Sequence, residues 1–229
     1  MRARRRGADP RFHDHRIGPS GPTSATIPSM PDLDRILEDL AETGRSVQPD
    51  FLPPTDVQAL REEAFELWRT GAFRQAGIGA RAEFGVRAEI RSDRILWLEE
   101  PYTDAQRRYL DELERLRLAI NQSLYLGLFS FEGHLAVYPP GSFYKKHLDR
   151  FQKASHRVVS CILYLNDDWK PDDGGQLRLY DGPEDDAGYR DIPPKRGNFV
   201  IFLSGSVYHE VLPAHRERAS LTGWFRTRE

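Results

Sequence analysis

Hydrophobic residues in the first half of the chain recur three and four positions apart in three segments. These segments cover residues 33–44, 55–68 and about 104–124, with polar residues between the apolar ones. Because residues at this spacing share one face of a helix, the pattern predicts three amphipathic helices. Gly44 is predicted to end the first helix and Thr55 to cap the second, as these residue types commonly do.

The second half has a different pattern, in which short β-rich runs alternate with turn residues. The runs cover residues 134–138, 143–148, 157–165, 176–180, 189–192, 198–203, 207–212 and 219–226. No helical segment of useful length interrupts them, so a parallel βαβ fold is disfavoured. Short strands at this spacing predict a jelly roll, and two further strands are predicted upstream, at 47–52 and 94–99.

Together these patterns predict an α+β fold, in which N-terminal helices support a double-stranded β-helix, or jelly roll. The expected organisation is a single domain over residues 31–229, with a helical layer at about 31–126 and the jelly roll at about 132–227. Residues 72–93 are rich in Gly and Arg and show no clear period. They are interpreted as an extended, mobile hairpin.

Residues 1–30 differ in composition from the rest of the chain. They contain six Arg and two Asp, a local charge of +4, whereas the remaining residues carry 27 of the 33 basic and 33 of the 35 acidic side chains. No hydrophobic period is visible, which predicts a disordered basic tail. Two interpretations stay open: Met30 is the biological start after an upstream extension, or the tail binds an acidic partner.

Overall composition limits the partners of the chain. With a net charge of −2, the 229 residues create no global field that attracts nucleic acid or an anionic membrane. The single cysteine, Cys161, excludes an intrachain disulfide and fits a reducing compartment. No run approaches the roughly 18–20 apolar residues that span a bilayer. We therefore expect a cytoplasmic protein that binds neither nucleic acid nor membrane.

Three residues in the β-rich half have the chemistry and spacing of a metal site. His147 and Asp149 are two apart in a predicted strand, where alternate side chains share a face, and His209 lies in another predicted strand. Two His and one carboxylate on one face of an octahedral ion leave three positions open, as in non-haem Fe(II) oxygenases. By itself a His-x-Asp pair is weak, because a single His is more often a core or surface residue. The other histidines lack a partner at useful spacing: His13, His15, His134, His156 and His215.

Arg218, nine residues after His209, makes the metal hypothesis more specific. If the two strands are antiparallel neighbours, Arg218 faces the barrel interior, where an arginine among apolar residues needs an anion. Its planar guanidinium suits a carboxylate, and 2-oxoglutarate offers one to such an Arg while its other end chelates iron. The alternative is an exposed arginine in the charged run 216–218.

Three tyrosines, Tyr138, Tyr144 and Tyr164, are predicted on strands that surround the proposed site. Phenolic hydroxyls are able to bind cosubstrate carboxylates. For any single tyrosine, the simpler interpretation is a residue of the aromatic core.

A series of motifs covers the β-rich half of the chain. They are YP (138–139), YKKHLD (144–149), RVVSCILYLN (157–166), DW (168–169), GGQLRL (174–179), HEVLP (209–213) and RASLTGWF (218–225), with a weaker upstream likeness in EIRSDRILW (89–97). In the order and spacing of this set the chain resembles the prolyl 4-hydroxylase branch of the Fe(II)/2-oxoglutarate-dependent oxygenases. The resemblance is strongest to the hypoxia-inducible-factor prolyl hydroxylases and their bacterial relatives.

This resemblance implies a role for each matching residue. Iron would be bound by His147, Asp149 and His209. The cosubstrate pocket would be formed by Arg218 and Tyr164 at the distal carboxylate of 2-oxoglutarate, Tyr138 near its iron-bound end, and Thr222. The entrance where a prolyl substrate docks would be bordered by Arg157, Tyr144 and Trp224. Residues near 74–93 would correspond to the loop that closes over substrate in this family.

The function implied by the resemblance is hydroxylation of a prolyl residue in a protein substrate, with elongation factor Tu as one candidate. The reaction would use Fe(II), 2-oxoglutarate and O2, release succinate and CO2, and use ascorbate as a reductant. Two alternatives keep the same site: a hydroxylase of a small molecule such as a free amino acid, or a jelly-roll sensor that binds metal without turnover. No motif encodes the oligomeric state.

Overall fold

The computed structural model describes residues 31–77, 87, 89–150, 156–184, 186 and 188–228. The predicted tail at 1–30 lies outside these residues, and so do residues 78–86 and 88 of the predicted mobile hairpin at 72–93. In the described part of the chain, no helix is long and apolar enough to cross a bilayer.

Three helices form where the hydrophobic period predicts them: α1 (Leu33–Thr43), α2 (Pro54–Arg69) and α3 (Asp104–Leu124). Helix α1 ends at Gly44, whose left-handed backbone (φ 73°) lets its amide donate to the carbonyl of Leu40. The predicted cap of α2 is wrong: Thr55 lies inside the first turn, and Pro53 at the N-cap position makes no side-chain cap. Pro54 starts this helix because its fixed φ suits the first helical position, where no N–H is required.

The strands are short, and each described ladder between them is antiparallel. In chain order they are β1 (Arg45–Gln48), β2 (Arg74–Gln75), β3 (Arg94–Trp97), β4 (Ser130–Tyr138), β5 (Tyr144–His147), β6 (Arg157–Tyr164), β7 (Leu177–Tyr180), β8 (Tyr189–Ile192), β9 (Phe199–Leu203), β10 (His209–Val211) and β11 (Arg218–Arg226). The prediction of a strand at 47–52 is wrong beyond Gln48, and the strand begins earlier, at Arg45. After Gln48 the chain turns at Asp50 (φ 53°), and Phe51 packs on Phe199 with ring centroids 3.8 Å apart, so its apolar side chain serves the core instead.

The strands form two sheets that face each other. The major sheet has seven strands in the order β1-β9-β6-β11-β4-β3-β2, and the minor sheet has four in the order β5-β10-β7-β8. Chain neighbours such as β4 and β5, or β10 and β11, fall in different sheets, which is the connectivity expected of a jelly roll. The predicted α+β class, a jelly roll supported by N-terminal helices, is confirmed.

Two hydrophobic cores follow from this arrangement. One lies between the helices and the outer face of the major sheet, where Leu60 and Leu116 meet strand residues such as Leu163. The other lies between the two sheets, where Tyr164 faces residues such as Leu177. Successive residues of the major-sheet strands therefore alternate between the two cores.

Strand register decides which side chains face the interior between the sheets, because directly opposed residues of neighbouring strands share a face. Four rows of opposed residues line the inner face of the major sheet. The first row holds Tyr138 and Arg218; the second, Ile95, Ala136, Ser220 and Tyr164; the third, Trp97, His134, Thr222, Ile162 and Val200; the fourth, Glu132, Trp224, Ser160 and Phe202. All four residues predicted for the cosubstrate pocket lie on this face.

Candidate metal centre and cosubstrate pocket

Side chains at the edge of the minor sheet converge on one point of the interior. His147 ends β5, His209 begins β10 directly opposite it, and Asp149 lies two residues beyond the end of β5. Nε2 of His147 lies 3.5 Å from Oδ1 of Asp149, and Nε2 of His209 lies 3.6 Å from Oδ2. One ligand atom from each residue lies within 4.8 Å of the other two. The structure therefore brings the three predicted metal residues together, although Asp149 lies beyond the end of the strand in which it was predicted.

Both imidazoles are held in the tautomer that a metal requires. Nδ1 of His147 lies 2.7 Å from the carbonyl oxygen of Lys145, and Nδ1 of His209 lies 3.1 Å from that of Val207. Because a carbonyl oxygen only accepts, each Nδ1 carries a proton, which leaves Nε2 as the metal-binding nitrogen. Burial, together with the adjacent His147, lowers the pKa of His209 to about 4, so this imidazole is neutral near pH 7.

The carboxylate of Asp149 is ionised in spite of its burial. Burial opposes the charge, but His209, His147 and the hydroxyl of Ser160 together hold the pKa of Asp149 well below its usual range. Ser160 Oγ donates to Oδ2 of Asp149 at 2.7 Å. Two imidazole Nε2 atoms and one carboxylate form a donor set that fits a divalent first-row metal such as Fe(II).

Aromatic rings hold the two imidazoles in place. Tyr144 stacks on His147 with ring centroids 3.6 Å apart, and the ring centroid of Phe202 lies 4.6 Å from that of His209. Burial raises the pKa of Tyr144 to about 12, so its phenol stays protonated near pH 7. Tyr144, predicted as a substrate contact, therefore also borders the metal ligands.

Arg218 enters the same interior from the opposite sheet. Its strand, β11, pairs with β4 and β6, so the predicted pairing with the strand of His209 is wrong. The prediction that the side chain faces the interior is confirmed, because Arg218 is only 1% exposed. Its Nε donates to the carbonyl of Gly175 at 2.8 Å, and its Nη2 donates to the hydroxyl of Tyr164 at 3.4 Å. No carboxylate of the described residues pairs with this guanidinium, and a buried charge of this kind calls for an anion.

The other residues predicted for the pocket surround Arg218. Its guanidinium carbon lies 4.8 Å from the ring centroid of Tyr138 and 5.0 Å from that of Tyr164. Burial raises the pKa of Tyr164 to about 12 and that of Tyr138 well above its usual value, so both phenols are able to donate. Thr222 lies on the third row, with its hydroxyl 3.3 Å from that of Ser220.

Arg157 and Trp224, predicted at the substrate entrance, stack on each other. The guanidinium carbon of Arg157 lies 3.5 Å from the Trp224 ring centroid, and Nε of Arg157 donates to Glu132 at 2.7 Å. Trp224 is buried, and its Nε1–H has no hydrogen-bond partner among the residues that the structure describes. A buried donor without an acceptor costs on the order of 1–3 kcal/mol, so this N–H is suited to a ligand acceptor.

Sequence reasoning gave no role to Arg91 and Asp93, which lie beside Tyr144 at the site. The Arg91 guanidinium carbon lies 4.4 Å from the ring centroid of Tyr144, and Asp93 accepts two hydrogen bonds from Arg91, at 2.6 and 2.7 Å. Asp93 is fully buried. The upstream resemblance at 89–97 was the available signal, but it was too weak to assign a residue.

His134 was set aside in the sequence for lack of a partner, yet it lies inside the barrel. It is buried on the third row, with its ring centroid 5.1 Å from that of Trp97 and 5.5 Å from that of Trp224. Burial, together with the charge of Arg91, lowers the pKa of His134 to about 4. Its useful signal was the strand period, which places it on the same face of β4 as Tyr138, four residues further on.

A jelly roll with two imidazoles and one carboxylate at a common point defines the class of non-haem Fe(II) oxygenases. Residues 133–226 match the family model described as the 2OG-Fe(II) oxygenase superfamily. A Pseudomonas putida prolyl-4-hydroxylase of known crystal structure is 47% identical, with a TM-score of 0.77, and the match covers 86% of this chain and 100% of that one. The chain belongs to the 2OG-Fe(II) oxygenase superfamily, in its prolyl 4-hydroxylase branch.

Animal proteins are similar to the chain at lower identity. A Trichoplax adhaerens prolyl hydroxylase, solved in complex with a hypoxia inducible factor oxygen degradation domain peptide fragment, is 26% identical with a TM-score of 0.76 over 85% of this chain and 88% of that one. Egl nine homolog 1 of Homo sapiens is 31% identical over 202 residues, which are 84% of this chain and 46% of that protein. The chain thus spans about half the length of the Egl nine proteins of human and mouse.

Proposed function

We propose that this protein is an Fe(II)- and 2-oxoglutarate-dependent dioxygenase that hydroxylates a prolyl residue in a protein substrate. The observation that carries the proposal is that a candidate metal-binding triad shares one interior with buried Arg218, whose charge has no carboxylate partner among the described residues. The triad by itself would account for a metal, but the guanidinium also requires an anion. A dicarboxylic keto acid that chelates the metal at one end and meets Arg218 at the other satisfies both requirements.

Iron would be held by Nε2 of His147, Nε2 of His209 and one oxygen of Asp149. These protein ligands leave three positions of an octahedral ion for 2-oxoglutarate and O2. When bound, iron and 2-oxoglutarate would supply the oxidising chemistry, in which O2 and 2-oxoglutarate yield succinate, CO2 and one oxygen atom for the substrate. The role of the protein would be to orient these groups and to exclude water from them.

The distal carboxylate of 2-oxoglutarate would be bound by Arg218 and Tyr164. Arg218 supplies charge, and the protonated phenol of Tyr164 lies beside it as a second donor. Tyr138 would contact the iron-bound end of 2-oxoglutarate, and Thr222 would line the wall of the pocket. Both residues lie on the inner face of the major sheet, as these roles require.

A prolyl substrate would dock against Tyr144, Arg157 and Trp224. The aromatic side chains of Tyr144 and Trp224 suit the apolar pyrrolidine. The Nε1–H of Trp224, which has no partner among the described residues, is a donor for a peptide carbonyl. Arg157 would hold the indole from its other face, because it already stacks there.

A protein substrate is favoured over a free amino acid by the chain's relatives. The Trichoplax prolyl hydroxylase was solved in complex with a peptide of a hypoxia inducible factor, and the match covers 88% of that enzyme's chain. Elongation factor Tu is the candidate substrate to test first. A cytoplasmic location and ascorbate as the reductant complete the proposal.

The test incubates the protein with Fe(II), 2-oxoglutarate and candidate proteins under air. We expect succinate formation and a mass gain of one oxygen atom on a prolyl residue, with neither in a matched His209→Ala variant. A peptide in which that proline is replaced by alanine should stay unmodified. If free amino acids stimulate succinate formation and no protein gains oxygen, the small-molecule alternative is correct; Fe(II) oxidation without succinate would favour the sensor.

A further inference from the structure

Hydrogen bonds hold the metal ligand Asp149 to the major sheet, although the strand that precedes it, β5, belongs to the minor sheet. It lies two residues beyond the end of β5, so the minor-sheet ladder does not set its side chain. Two hydrogen bonds connect this position to the major sheet instead. Ser160 Oγ on β6 donates to Oδ2 of Asp149 at 2.7 Å, and the amide of Arg150 donates to the carbonyl of Ser204 at 3.1 Å.

The hydroxyls of Ser160 and Ser204 form a hydrogen-bond relay with a defined donor-to-acceptor direction. Their Oγ atoms lie 2.8 Å apart, and both residues are fully buried. A hydroxyl has one proton to donate. Because Ser160 gives its proton to Asp149, Ser204 must be the donor to Ser160. The relay therefore runs from Ser204 to Ser160 to Oδ2 of Asp149.

We propose that Ser160 and Ser204 are positioning residues for the iron ligand Asp149, an inference that rests on the proposed function. Ser160 restrains Oδ2, so that the carboxylate presents one oxygen to the metal in a fixed orientation. Ser204 acts on Asp149 only through Ser160, by orienting its hydroxyl and strengthening its donation. Neither serine would touch the metal or the cosubstrate. Hydrogen bonds to a metal-bound carboxylate commonly set metal affinity in this way.

The test measures the affinity of the metal-free full-length chain for Mn(II), used because it does not react with O2. Isothermal titration should show Ser160→Ala weakened about 10- to 100-fold relative to wild type, the usual effect of losing an outer hydrogen bond to a ligand. Ser204→Ala should be weakened less. The double variant should match Ser160→Ala, because the Ser204 hydroxyl reaches Asp149 only through Ser160, and alanine keeps the backbone carbonyl that accepts from Arg150. Ser206→Ala, an exposed serine two residues from Ser204, is the matched control and should equal wild type.

Thermal unfolding without metal separates positioning from folding. Variants that melt within a few degrees of wild type but bind Mn(II) more weakly support the relay. Wild-type affinity in folded Ser160→Ala, or separate additive losses from the two serines, would overturn it. If Ser160→Ala does not fold, Ser204→Ala decides: unchanged Mn(II) affinity contradicts the relay. Wild type that binds no Mn(II) would instead sink the proposed metal site itself.

Discussion

At the scale of single residues, burial decides which charge each group of the site carries. His209 is held neutral, Asp149 is held ionised, and the charge of Arg218 has no counter-ion among the described residues. Desolvation alone would neutralise both His209 and Asp149, so specific neighbours must oppose it at Asp149, where the charge persists. These are the charge states that a cation and a dicarboxylic acid require.

Replacement of Arg218 should weaken cosubstrate binding and leave metal binding intact. Truncating one partner of a buried charged pair costs about 2–5 kcal/mol, so Arg218→Ala should raise the KM for 2-oxoglutarate at least about 30-fold. Arg218→Lys keeps the charge but loses the planar fork, and should recover only part of the loss. Steady-state succinate formation measures the KM. The exposed neighbour Arg216 provides the control, Arg216→Ala, and an unchanged KM in Arg218→Ala would show that the carboxylate site is misassigned.

Buried His134 should make the metal-free protein sensitive to acid. Its pKa drops from an ordinary 6.5 to about 4 on folding, so between these pH values the unfolded chain binds more protons and stability falls as pH falls. The shift corresponds to a loss on the order of 3 kcal/mol between pH 7 and pH 4. Urea unfolding at several pH values should show a flatter dependence for His134→Gln. Exposed His215→Gln should follow wild type, and equal slopes in all three proteins would refute the assignment.

At the scale of elements, helices and strands followed from periodicity, but strand partners did not. The spacing of Arg218 from His209 suggested neighbouring strands, whereas β10 and β11 lie in different sheets. The inward direction was still correct, because alternation within a strand is a local property and pairing is not. No role could be assigned to Ser160 from the sequence, since its contact with Asp149 joins β6 to a residue beyond the end of β5.

The tight turn at Gly175 should position Arg218. Gly175 has a left-handed backbone (φ 65°), and an added Cβ would lie 3.0 Å from Cδ of Arg218 and 3.2 Å from Trp169. Gly175→Ala should therefore raise the KM for 2-oxoglutarate about 10- to 100-fold by displacing the guanidinium. Gly71→Ala is the matched control, because Gly71 also has a left-handed backbone (φ 76°) but open space around it. Both variants should lose about 1–2 kcal/mol of stability; a normal KM in Gly175→Ala would contradict this positioning.

At the scale of the whole molecule, the two sheets contribute different parts of the site. The minor sheet brings His147 and His209, and the major sheet brings Arg218 and the serine that holds Asp149. The overall class and the candidate metal and cosubstrate residues could be predicted from motif order, whereas Arg91, Asp93 and Ser160 could not. Their division between two sheets could not, because it depends on contacts between distant parts of the chain.

Metal loading should stabilise the entire fold, because its ligands are fixed to both sheets. A ligand that binds only the native state adds about 2.7 kcal/mol at 100 times its Kd, which raises the Tm by several degrees. Differential scanning fluorimetry with Mn(II) should show this rise in wild type. Addition of 2-oxoglutarate should increase it in wild type but much less in Arg218→Ala. A Tm that does not respond to Mn(II) would contradict a preformed metal centre.

The central claim is that His147, Asp149 and His209 bind the iron that drives 2-oxoglutarate turnover. The most direct measurement is anaerobic Fe(II) binding followed by succinate formation under air, compared between wild type, His147→Ala and Asp149→Ala. Exposed His215→Ala serves as control and should behave as wild type. We predict that each ligand variant remains folded, binds Fe(II) weakly and forms almost no succinate. Unchanged Fe(II) binding and succinate formation in either ligand variant would contradict the account.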